Sequence, residues 1–245
     1  MAKEIKFFIT DFKDFHTTVN KLIRTKEDLI RILLITIKHI LINKNFKDED
    51  KGEVNIIINK SSRLYFICKK PGELPTKYFS FAFPFFVEKD SYNNWIIKCK
   101  TSSHSINSEF VDYLLTLLDK GWFSDCNKQL DSIDKFACDY IDIINEYYNV
   151  RNIISEEQNF HETVNWAIIK TLLTFEPGYI RYDYDTEHET TDNHPLNHLD
   201  IYYAQSTFKL GFDKSFKISS RLDFNKFKDI LENGNYMQKR CYLLK

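Results

Sequence analysis

A chain of 245 residues with 43% hydrophobic and 28% charged residues carries enough apolar material for a packed core, which excludes a disordered chain. Only 6 Gly and 5 Pro accompany 16% aromatic residues, which argues against a Gly-rich phosphate loop. The formal net charge of −1 gives no overall basic field, and the five cysteines (Cys68, Cys99, Cys126, Cys138, Cys241) form no C-x-x-C pair, so neither a zinc knuckle nor a disulfide framework is indicated.

The N-terminal MAKEIKFFITDF lacks a long apolar core and a small-residue cleavage site, so no signal peptide is expected. A helical pattern runs from Asp11 to about Arg24. A second helix starts where Thr25 can cap and Asp28 can reach back, an acidic form of the capping box. Leu29, Ile30, Leu33, Leu34, Ile37, Ile40 and Leu41 then recur at helical spacing and predict a buried helix. Arg31, Lys38 and His39 interrupt its apolar run, leaving stretches too short to span a bilayer. A reduced, cytoplasmic protein without a membrane partner is therefore expected.

After the exposed turn NKNFKDEDKGE, the period changes. EVNIIIN, RLYFICKK, KYFSFAFPFFVE and NNWIIKCKT are rich in β-branched and aromatic residues and read as four antiparallel strands. Pro84 makes the third an edge or bulged strand. Helical periodicity returns in NSEFVDYLLTLLDKGW, with Asn107 or Ser108 as cap and Gly121 as stop. Two further helices are predicted in LDSIDKFACDYIDIINEYYNV and SEEQNFHETVNWAIIKTLLTF, the latter with a Ser155–Gln158 capping box. Pro177-Gly178 ends this block. GYIRYDYD, HLDIYYAQ and STFKLGFD then read as strands, RLDFNKFKDILEN as a helix and NYMQKRCYLL as a final strand.

This order predicts an α+β fold: N-terminal helices, an antiparallel sheet, central helices, then a C-terminal antiparallel sheet with one short helix. A single domain over 1–245 is expected, with a subdivision into 1–175 and a β-rich 176–245 as the alternative.

The unusual polar residues concentrate near the C-terminus. On a strand, Arg181, Asp183 and Asp185 would share one face and Tyr182 and Tyr184 the other. His188, His194, His198 and Asp200 follow closely. Imidazoles with carboxylates suit zinc, manganese or iron, and two carboxylates suit magnesium, so a divalent metal, Mg²⁺ or Mn²⁺, is the expected cofactor. Asp183, Asp185 and His198 are the expected metal ligands, and Asp183, Asp185, His194, His198 and Asp200 the expected catalytic set. Arg181 and Lys209 are expected to contact substrate. Pro195 removes His194 from helical geometry, so HPLNH is not a zincin helix. Arg181 and His188 have the R-x6-H spacing of some helical ribonucleases, but their surroundings read as strand. Asp200 and Lys209 on adjoining strands are similar to a carboxylate–lysine nuclease core, although Thr207 stands where its Glu would be. The structural alternative pairs Arg181 with the aspartates at a sheet surface and leaves the histidines as polar loop residues. His16, His39, His104 and His161 lack a partner pattern, and no nucleophile motif supports Ser or Cys chemistry.

YIRYDYD, HPLNHLDI, FKLGF and FNKFKDIL together resemble an uncharacterised bacterial family with an R-x-D-x-D strand, then H-P-x-x-H-L, then a strand and a helix. The matching residues are Arg181, Asp183, Asp185, His194, Pro195, His198 and Leu199, within about the last seventy residues. LDIYY departs from the family's more neutral, Gly-containing strand, which makes Asp200 a feature of a subgroup. The resemblance implies a component of an antiphage defence locus encoded beside a helicase. Two readings follow: a metal-dependent nuclease effector with a helicase-like partner, or a non-catalytic sensor or adaptor in which the Arg/Asp/His group is a structural network.

Overall fold

The computed structural model describes residues 3–10, 14–42, 51–58, 62–70, 72–100, 104–124, 133–151, 165–190, 194–203, 206–211 and 221–232. Cys126, Cys241, His161, the Ser155–Gln158 cap and the strand expected at NYMQKRCYLL lie outside them. In chain order the first elements are β1 (Lys3–Phe8), α1 (Phe15–Asn20), α2 (Lys26–Ile42), β2 (Gly52–Ile58), β3 (Arg63–Cys68) and β4 (Lys77–Ala82). Next come β5 (Phe85–Lys89), β6 (Trp95–Cys99), β7 (Ser105–Ile106), α3 (Ser108–Asp119), α4 (Ile133–Arg151) and a helical stretch at 165–173, α5. β8 (Ile180–Tyr184), β9 (Asn197–Tyr203), β10 (Ser206–Gly211) and α6 (Phe224–Glu232) complete the α+β arrangement. Two compact units result: Met1–Ile9 with Lys47–Ala82 and Gly178–Lys245, and Thr10–Phe46 with Phe83–Pro177.

The first unit holds a seven-stranded antiparallel sheet in the order β1-β2-β3-β4-β8-β9-β10. β4 pairs directly with β8, aligning Lys77 with Asp183 and Phe79 with Arg181, so the two β blocks of the sequence form one sheet. One face packs Ile57, Tyr65, Tyr78, Tyr182 and Leu199 against Leu222 and Phe227 from the α6 region. Tyr182 also accepts the Leu222 N–H through its hydroxyl at 3.0 Å, which ties α6 to β8. The opposite face changes character across its width. It begins with buried Val54, Ile56, Leu64, Phe66, Phe79 and Phe81, and reaches Arg181, His198 and Asp200, which are buried too. Phe66 stacks on Phe79 with centroids 4.3 Å apart, just before the charged part begins. Gly52 starts β2 at φ 116°, where a Cβ would stand 2.0 Å from the Ile67 carbonyl oxygen. Only glycine fits that approach.

In the second unit, α2 is buried almost all round, as its apolar pattern predicts. Its start is the expected box: Thr25 N–H donates to Asp28 Oδ2 at 2.9 Å and Asp28 N–H to Thr25 Oγ1 at 3.2 Å. Buried Lys38 pairs with Asp112, and His39 stacks on Phe15 at 4.8 Å. Asn107 caps α3 by accepting the Phe110 N–H at 2.7 Å.

Three local expectations change. β1 was not anticipated. α1 is confined to Phe15–Asn20, short of Arg24, and follows Asp14 at φ 60°. KYFSFAFPFFVE is not one strand: its second half is an edge strand, as Pro84 suggests, but its first half lies inside the seven-stranded sheet. It splits at Phe83-Pro84 into β4 and β5, which belong to different sheets, because Pro84 has no N–H for a continuing ladder.

Candidate metal centre

Strand pairing brings the C-terminal polar residues into two rows on the charged face. Lys77, Asp183, His198 and Gly211 are successive lateral neighbours across β4, β8, β9 and β10. Phe79, Arg181, Asp200 and Lys209 form the next row. The expected alignment of Arg181 with Asp183, and of Asp200 beside Lys209, is therefore present.

Asp183, His198 and Asp200 converge: one donor atom from each lies within 4.8 Å of the others. His198 is fully buried, and its Nδ1 lies 2.9 Å from the Pro195 carbonyl oxygen. A carbonyl can only accept, so Nδ1 carries the hydrogen. In the neutral ring, Nε2 is then a bare lone pair, 3.3 Å from Asp183 Oδ2. Both His198 Nε2 and Asp200 Oδ1 are buried; the first has Asp183 Oδ2 as its neighbour, and the second has Lys209 Nζ 3.8 Å away. A neutral His198 would set the Nε2 lone pair against a carboxylate oxygen, an opposition that a proton or a cation relieves. Two carboxylates and one imidazole, with its second nitrogen held by a carbonyl, are a group that could hold a divalent metal ion.

Arg181 lies between the two carboxylates. Its Nε donates to Asp183 Oδ2 at 2.6 Å and its Nη2 donates to Asp200 Oδ2. The guanidinium is buried and engaged, so it orients the acids and is poorly placed to contact substrate as the sequence suggested. Burial alone would raise the pKa of Asp183, but His198, Arg181 and Lys77 outweigh it and the net shift is downward. Burial likewise opposes protonation of His198, while Asp183, the Pro195 carbonyl and Asp200 raise its pKa overall. The raised pKa favours a proton on His198 Nε2, facing Asp183 Oδ2.

Asp185 separates from this group. β8 ends at Tyr184, and the Asp185 carboxylate turns into the loop, where it accepts from His194 Nε2 at 3.0 Å and His188 Nδ1 at 3.1 Å. Burial pushes its pKa up, but the His188 N–H and the His194 and His188 rings reverse this and bring it to about 2. The ligand set expected from the sequence thus differs by one member, with Asp200 standing where Asp185 was placed. His194 lies edge-on to His198 with ring centroids 4.6 Å apart.

Two lysines flank the centre. Lys209 Nζ is 3.8 Å from Asp200 Oδ1 and half exposed. Lys77 was missed by sequence reasoning, since only the β4–β8 pairing places it beside Asp183. Burial lowers its pKa, and its Nζ lies 4.9 Å from the Phe79 ring. Of the other expectations, Cys68, Cys99 and Cys138 are free thiols, and no helix among the described residues is long and apolar enough to cross a membrane. Comparison with known protein families, with curated proteins and with solved structures finds no match to this chain.

Proposed function

We propose that this chain is a divalent-metal-dependent nuclease, acting with a helicase-like partner in bacterial antiphage defence. The observation that carries the chemistry is the convergence of Asp183, His198 and Asp200, whose donor atoms lie within 4.8 Å of one another. One imidazole in the set favours Mn²⁺ over Mg²⁺. A bound ion of this kind supplies an activated water and offsets charge on a phosphate. Arg181 would fix the angle of both carboxylates. Lys77 and Lys209 would face the phosphate from opposite sides. Three cations (Lys77, Arg181, Lys209) outnumber the two carboxylates by one, and a divalent ion would add to that excess. Such a field suits a polyanion, in spite of the chain's near-neutral total charge. The biological setting rests on the R-x-D-x-D and H-P-x-x-H-L signature.

A second reading is supported by Arg181 itself. Its guanidinium is buried between Asp183 and Asp200, and an ion-paired network of this kind can serve only to fix the C-terminal strands of a sensor or adaptor. Cleavage assays on single- and double-stranded DNA and RNA with Mn²⁺ or Mg²⁺ separate the two. The nuclease reading predicts metal-dependent cleavage by the wild type, loss with Asp183→Ala and His198→Ala, and weakened substrate binding with Lys77→Ala. Equal cleavage by wild type and variants, or none with any substrate, favours the adaptor.

A further inference from the structure

Asp185 is a hub in the loop between β8 and β9. It accepts the backbone N–H groups of Glu187 and His188, each at 3.1 Å, as well as the two imidazoles. Its own N–H donates to the Leu196 carbonyl at 2.9 Å, and the Thr190 N–H donates to the His194 carbonyl at 2.8 Å. Both ends of the loop are therefore tied to the His194–Leu196 segment. That segment contains the Pro195 carbonyl, which accepts from His198 Nδ1 at 2.9 Å. The His194 ring, held by Asp185, also lies edge-on to the His198 ring at 4.6 Å. Two paths thus run from Asp185 to His198, one through a ring contact and one through a backbone carbonyl.

We propose that Asp185 is a positioning residue which, through His194 and the Pro195 carbonyl, holds His198 in its Nδ1–H tautomer with Nε2 directed at Asp183 and Asp200. The inference rests on the reading of that group as a metal centre, where such an outer contact sets the basicity and direction of the ligating nitrogen. It assigns Asp185 a role that requires no contact with the ion. Asn at this position keeps one acceptor oxygen for His194, whereas Ala keeps none.

The test uses full-length, metal-free protein labelled with ¹⁵N at histidine, in buffer raised in pH until the His198 ¹⁵N shifts themselves report a neutral ring, followed by titration with Mn²⁺. Wild type is expected to show His198 as Nδ1–H. Asp185→Ala and His194→Phe are expected to admit the Nε2–H tautomer and to bind Mn²⁺ about 10- to 100-fold more weakly. Asp185→Asn should keep the wild-type tautomer. A purely structural role would alter stability without changing the tautomer. If Asp185→Ala does not fold, His194→Phe decides the matter. The proposal is overturned if both Asp185→Ala and His194→Phe keep the wild-type tautomer and Mn²⁺ affinity, or if the wild-type ring is Nε2–H. Absence of Mn²⁺ binding by the wild type sinks the metal reading alone, because the tautomer comparison is made without metal.

Discussion

Arg181 and His198 show how two buried ionisable side chains divide one task. The guanidinium holds Asp183 Oδ2 and Asp200 Oδ2, while the imidazole turns Nε2 towards the same Asp183 oxygen. Replacing Arg181 by Met leaves two carboxylates buried without their partner and should destabilise the fold by about 3–5 kcal/mol. Urea denaturation checks this, and a loss below about 1 kcal/mol would contradict the role given to the arginine. The pH response follows from the raised pKa of His198 relative to its ordinary 6.5. Its contribution is complete below 6.5 and is lost as pH rises through the raised value in the folded state. The stability gap between metal-free wild type and His198→Gln should therefore narrow on going from acid to alkaline buffer. Mn²⁺ acts in the opposite sense: it replaces that proton, so its stabilisation of the wild type should grow with pH. A gap that widens with pH in the metal-free protein would show that His198 is buried as the neutral ring.

At the scale of single elements, local chemistry decides how much the sequence reveals. The start of α2 is legible because Thr25 and Asp28 satisfy each other within one turn, and the cap of α3 because Asn107 needs only the Phe110 N–H. β1 is not legible, since KEIKFF is short and acquires its partner only from β2, far along the chain. The break at Pro84 is legible as a disturbance but not as a change of sheet, because which ladder each half joins depends on distant strands. Gly52 belongs here as well. Its φ of 116° and the 2.0 Å approach of the Ile67 oxygen to a built Cβ predict that Gly52→Ala loses about 1–3 kcal/mol. A thermal midpoint unchanged from wild type would mean that the β2–β3 pairing adapts without strain.

For the molecule as a whole, the decisive event is the pairing of β4 with β8, which closes one sheet across the segment that forms most of the second unit. The candidate centre straddles this join. Its own strands, β8 and β9, are neighbours in sequence, so Arg181, Asp183, His198 and Asp200 could be read as a group from YIRYDYD and HPLNHLDIYY. Choosing Asp200 over Asp185 requires knowing that β8 stops at Tyr184, and finding Lys77 requires the long-range pairing. Neither fact is local. The fold class was accessible from period and order alone, whereas the exact membership of the site depends on register.

The central claim, that Asp183, His198 and Asp200 hold a divalent cation, is tested most directly by a crystal structure of the full chain soaked in Mn²⁺, with anomalous diffraction at the manganese edge. The predicted result is a single strong anomalous peak between the three side chains, with Arg181 retained on Asp183 and Asp200. A crystal with no peak there, and with His198 bonded directly to Asp183, would contradict it.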